Sequence, residues 1–239
     1  QRLCLLHWLR RALRLCPHFV AQQFTPALKT ALKQHGIARP LYDDANLRAL
    51  INFCARKLQR QFESRDVQFL QLYLQYCLIQ HHLGNTPEFS PVQRSWTQSR
   101  GEYFTAQEIV RHWKRRVPQG THSDEQLFLA LLFMMLRTPD PVMDKHQQDQ
   151  RLRRAIVRMI ARFRAQTGMN FSDEQGLTDQ LYIHLAQALD RSLFDIGIDN
   201  SLPEEIHRLY PRLLRTTKEA LFELEAEFGL RFSGEEMAL

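Results

Sequence analysis

Glycine and proline are scarce, at 9 and 10 of 239 residues. Runs rich in Val, Ile and Thr are nearly absent, while leucine is abundant. With so few turn formers and so few strand formers, an all-α fold is expected. No long hydrophobic run is present. The longest, "LFLALLFMML" at 127–136, has ten residues, too few to span a bilayer, and is read as a buried helix. No cleavable signal peptide is legible, no membrane association is expected, and a cytoplasmic location follows as the expectation. The chain starts at Gln1 rather than Met, so it is expected to be a fragment of something longer.

The motifs of common enzymes are missing too. There is no P-loop, no dinucleotide fingerprint, no HExxH and no nucleophile elbow, so an enzyme is not expected. Cysteine is sparse. Cys4, Cys16, Cys54 and Cys77 form no CxxC pair and sit on apolar helical phrases. Buried free thiols in a reducing compartment are the expectation. The alternative, a zinc site from Cys4, His7, Cys16 and His18, fits no finger spacing well. Neither a metal nor a cofactor is expected.

Acid is absent from the first 42 residues, which hold seven Lys or Arg; Asp43 is the first carboxylate. A second basic phrase is "RLRRAIVRMIARFR", residues 151–164. One reading is helices with solvated cationic faces. The other is proximity to nucleic acid, directly or through a neighbouring domain missing from the chain. No aromatics alternate with the arginines in a stacking pattern, which disfavours direct reading of RNA.

What is present is helical punctuation. Capping boxes are expected at "TAQE" (105–108), "SDEQ" (123–126), Ser172 to Gln175, "SLPE" (201–204), "TTKE" (216–219) and "SGEE" (233–236). "PQGTH" (118–122) and "NSLP" (200–203) read as turns. Leucines recur at helical spacing at Leu70, Leu74 and Leu78, and again at Leu181, Leu185 and Leu189. A shift of 111 residues superimposes the two sets, places "TAQE" on "TTKE", and brings "SDEQ" within one residue of "SGEE". A duplicated five-helix unit is the economical explanation. The expected organisation is a basic helical lead-in at 1–40 packed on the first copy, a first copy at 41–137, a linker at 138–145 within a proline-broken polar phrase, and a second copy at 146–239 whose C-terminal end is cut short.

The second copy carries a specific pattern. His184 and Leu185 are followed seven residues on by Arg191. Gly197, Ile198 and Asn200 come next, then Leu202, Glu205, Ile206, Tyr210 and Pro211, and a long helix leads to Glu235 and Glu236. This resembles the PTS regulation domain. The resemblance implies a helical regulatory module, usually in tandem, that dimerises. Such modules sit behind nucleic-acid-binding domains and are phosphorylated on histidine by phosphocarriers of the sugar phosphotransferase system, of the HPr or EIIB type. On that reading the chain is a homodimeric, non-enzymatic regulator of transcription, linked to nucleic acid only indirectly.

His184 is then the phospho-acceptor candidate, with Arg191 and His207 as phosphate-orienting candidates. Relay through a histidine needs an accessible neutral imidazole nitrogen and cations to hold the phosphate. Arg191 lies two helical turns beyond His184 on roughly the same face. Asp190 and Asp195 lie close in sequence and would repel a phosphate. The competing reading is a helix histidine without a phosphotransfer role, in a module kept for interaction alone. The first copy has lost the pattern: Tyr73 stands at the His184 position, Gln80 at the Arg191 position, and Leu132 where the family has its second histidine. His81 and His82 fall outside the motif.

Overall fold

A computed structural model describes residues 2–115, 123–196, 208–209 and 211–237, with the backbone alone at 213, 214 and 235. Among the described residues every regular element is helical. The chain divides into two compact units, Gln1–Leu136 and Arg137–Leu239.

Unit 1 contains α1 (Arg2–Leu15), α2 (Thr25–Gln34), α3 (Asp44–Lys57), α4 (Ser64–His82), α5 (Pro91–Gln98), α6 (Gly101–Lys114) and α7 (Ser123–Met135). Helix α1 buries Leu6, Leu9 and Leu13, a three- and four-residue stripe, and packs on α4. Helices α4 and α7 are buried along most of their length, α7 almost entirely by apolar residues, and form the middle of the unit. The run at 127–136 is thus a core helix, as its length required. Each fully buried leucine there contributes about 2 kcal/mol of transfer free energy.

Unit 2 contains α8 (Gln147–Thr167), α9 (Glu174–Leu193), α10 (Pro211–Phe228) and the short α11 (Gly234–Met237). Helix α8 packs on both α9 and α10. It is capped by the His146 ring, which accepts from the Gln148 amide at 3.2 Å, and it ends at Gly168 with φ 68°. The phrase before it is pinned in place. Asp140 accepts from the amides of Val142 and Met143 in an Asx turn, and Asp144 accepts from the Tyr182 hydroxyl at 2.6 Å.

Several expected helix starts move. "TAQE" and "TTKE" lie inside α6 and α10 rather than at their starts. Thr105 is buried in mid-helix, and the Thr216 hydroxyl donates back to the Arg212 carbonyl at 3.1 Å instead of capping. Asp173, not Ser172, caps α9 by accepting from the Gly176 amide. Ser233 does accept from the Glu236 amide, at 3.2 Å. A true capping box joins Ser90 and Gln93 ahead of Pro91. "SLPE", "PQGTH" and "NSLP" lie outside the described residues.

The 111-residue register reappears in backbone detail. At the end of α4, Leu83 donates to Ile79, Gly84 to His81 and Asn85 to Gln80. At the end of α9, Phe194 donates to Asp190, Asp195 to Ser192 and Ile196 to Arg191. These are the same three bonds moved by 111. The left-handed residue is Gly84 (φ 74°) in one and Asp195 (φ 54°) in the other. Glycine takes that conformation freely, and aspartate is among the few other residues that tolerate it.

Candidate functional site

Helix α9 sets the position of His184. Tyr182, Leu185, Ala186 and Leu189 form the buried stripe. His184 falls between stripe positions and, like Gln180 one turn earlier, is exposed. No described residue forms a hydrogen bond or ion pair with its ring. Water and a partner protein therefore have access to the imidazole. The ring is not sealed in the core.

Arg191 follows two turns on, as the spacing requires, but it is already engaged. Its Nε and Nη2 donate to the two carboxylate oxygens of Glu236 in α11, the second bond being 2.8 Å. The Glu236 side chain is only 5% exposed. The pair ties the end of the second unit to α9. Bidentate guanidinium–carboxylate geometry is the strong form of such a contact.

The feared repulsion from Asp190 is answered from within the unit. Asp190 is buried and lies 3.9 Å from Arg137, which also meets Asp149 at 3.3 Å and Asp144 at 3.7 Å. Asp195 is exposed at the turn beyond α9. His207 lies outside the described residues, as do Gly197, Ile198, Asn200, Leu202, Glu205, Ile206 and Tyr210.

In unit 1 the corresponding place is closed. Tyr73 is 0% exposed, stacks on Phe69 and Phe128, and its hydroxyl donates to the Arg2 carbonyl. Burial, with Cys77 and Tyr76 beside it, raises its pKa far above the ordinary phenol value, so it stays neutral. Leu132 is 1% exposed in the core. Gln80 is half-buried and accepts from Asn85 Nδ2 at 3.0 Å. None of the three supplies phosphotransfer chemistry.

A buried ion pair lies beside them that the sequence reading missed. Arg2 donates to both oxygens of Glu125, at 2.8 and 2.6 Å, and to the Asn85 carbonyl at 2.5 Å. The His81 ring stacks on Trp113, and its Nδ1 stands 3.8 Å from Glu125, beyond hydrogen-bond length. Burial alone would raise the Glu125 pKa. The Arg2 hydrogen bonds and charge, with His81 adding in the same sense, outweigh it and hold the carboxyl below its usual range. A register signal for half of this pair existed, since Glu125 shifted by 111 is Glu236.

The second basic phrase is largely matched within its own unit. Arg151 and Arg158 pair with Glu227, Arg162 with Glu223 and Arg164 with Glu174, while Arg153 covers the Tyr182 ring at 5.3 Å. Arg154 stays exposed and borders an open groove of about 500 Å³ between α8 and α9 that His184 does not line. The expectation of four buried thiols needs correction. Cys54 and Cys77 are buried, but Cys4, in the first turn of α1, and Cys16, just past its end, are exposed. Among the described residues no three His, Cys, Asp or Glu side chains converge as metal ligands. No described helix is long and apolar enough to cross a membrane.

The PRD domain model matches twice, at residues 48–135 and 157–239. A curated relative, the stationary phase-inducible protein CsiE of Escherichia coli (strain K12), is 62% identical over all 239 residues of the chain. The chain spans 56% of that relative's length. No solved structure matches.

Proposed function

The chain belongs to the PRD domain family, with two copies of the domain, and we propose that it is a regulatory protein in which His184 accepts a phosphoryl group from a phosphocarrier. The observation that carries this reading is the exposure of His184 on a helix that buries Tyr182, Leu185, Ala186 and Leu189. In the transfer, the donor's bond to phosphorus (N–P for a phosphohistidine, S–P for a phosphocysteine) breaks and a new N–P bond forms at the His184 ring. About two negative charges then arrive on the surface of α9. Arg191, two turns further along the same helix, is the described motif cation, and its present partner is Glu236. A phosphate on His184 competes with that carboxylate for the guanidinium, which couples phosphorylation to the seating of α11.

The downstream effect in this reading is modulation of transcription, in a cytoplasmic homodimer whose link to nucleic acid is indirect. The name of the CsiE relative speaks of induction in stationary phase, and we extend that setting to this chain as part of the proposal.

A second reading has its own support. Arg191 is occupied, and Tyr73 and Gln80 stand where the motif's pair would be in unit 1. A fold kept for protein interaction, with phosphorylation lost, fits those facts. The test incubates the chain with phosphoenolpyruvate, the general phosphotransferase enzyme and the phosphocarrier. Acid-labile phosphate on the parent and none on His184→Ala supports the first reading. An unlabelled parent supports the second and refutes the first.

A further inference from the structure

In unit 2 the motif arginine, Arg191, grips Glu236. In unit 1 the residue at the Glu236 register, Glu125, is retained, but the residue at the Arg191 register is Gln80. Glu125 is 1% exposed, and a carboxylate sealed there without a cation is costly. The cation comes from elsewhere. Arg2 belongs to α1, outside the residues that match the family model. It grips Glu125 with two nitrogens, as Arg191 grips Glu236.

The geometry joins the substitute to the vacated position. Gln80 bonds Asn85, and the Asn85 carbonyl accepts from Arg2. Position 80 is therefore one residue removed from the guanidinium that replaces its own. The same Arg2 meets the other altered position from its backbone, because its carbonyl accepts from the Tyr73 hydroxyl. Its side chain also covers the Phe128 ring at 5.1 Å. One residue thus contacts, or lies next to, two of the three altered positions of the unit, the tyrosine at the histidine position and the glutamine at the arginine position, and also holds the retained glutamate.

We propose that Arg2 is a positioning residue that replaces the lost motif arginine of unit 1, and that through it α1 is buckled as a fixed plug over the place where the family carries its histidine. The inference does not depend on phosphorylation of His184. It makes the lead-in helix an integral part of the first domain and explains why Glu125 persists where the rest of the pattern has gone. Unit 1 is held shut by α1.

The experiment uses the full chain and exchanges arginines between the two positions. Arg2→Ala is expected to raise amide hydrogen exchange in α1 roughly 100-fold, the scale of removing one partner of a buried pair. Arg2→Ala with Gln80→Arg is expected to restore the thermal stability of unit 1, since position 80 again serves Glu125, while α1 stays unprotected. Gln80→Arg alone keeps the protein folded, and the new arginine competes for Glu125 and speeds exchange in α1. Parent-like protection of α1 in Arg2→Ala would overturn the proposal. So would a double variant no more stable than Arg2→Ala, or a Gln80→Arg variant with α1 exchange unchanged.

Discussion

Arg191 and Glu236 are joined through two nitrogens and two oxygens, 45 residues apart in sequence. The carboxylate is the more deeply buried partner. That asymmetry predicts unequal costs. Arg191→Ala leaves a buried charge unpaired and should destabilise unit 2 by about 3 kcal/mol. Glu236→Gln leaves a guanidinium with partial access to water and a neutral amide that still accepts, so about 1 kcal/mol is expected. Urea denaturation of the two variants checks the order; equal costs, or the reverse order, would contradict the burial argument.

Acid should loosen unit 1. Glu125 and Glu102 both have pKa values held below the ordinary glutamate value of 4.5. For each, burial pushes up and arginine pulls down harder: Arg2 on Glu125, and Arg60 followed by Arg100 on Glu102. A depressed carboxyl pKa gives stability that is fully present above 4.5 and is lost as pH falls through the lowered value. Urea midpoints measured between pH 7 and pH 3 should therefore fall below pH 4.5. The fall should be smaller in Glu125→Gln, whose side chain has no proton to take up. An identical acid profile in that variant would remove Glu125 from the account.

The four thiols should separate into two pairs. Burial, with Glu108 adding and Lys57 opposing, pushes Cys54 up to about 12. Burial raises Cys77 strongly as well, with Arg2 opposing and Glu125 adding. The thiolate is the reactive form. A chromogenic disulfide reagent at pH 8 should modify Cys4 and Cys16 promptly in the folded chain. It should reach the other two only after denaturation. Four fast thiols would mean that the packing around α3 and α4 is not as described.

Much of this is legible in the sequence. The all-α class followed from missing strand formers, and the core helix at 127–136 from its apolar length. The repeat announced itself through leucines and survives as three identical backbone bonds. Capping was less legible, because Ser and Thr serve equally well inside a helix when the hydroxyl can bond the carbonyl four residues back, as Thr216 does. Exposure of Cys4 and Cys16 was also missed. An apolar phrase says that a helix has a buried side, but a one-residue rotation decides which residues occupy it. His184 and Arg191 were singled out as candidates from the motif. The partner of Arg191 could have been found by carrying Glu125 across the repeat. Arg2 could not, because nothing in sequence spacing links residue 2 to residue 125.

The central claim is that one unit is armed and the other closed. Phosphate stoichiometry tests it most directly. The full chain is phosphorylated through the phosphocarrier, kept at neutral to alkaline pH to preserve the N–P bond, and read by intact and peptide-level mass spectrometry. One phosphate per chain, on His184, is the predicted result. No phosphate at all, or phosphate on any residue of unit 1, would contradict it.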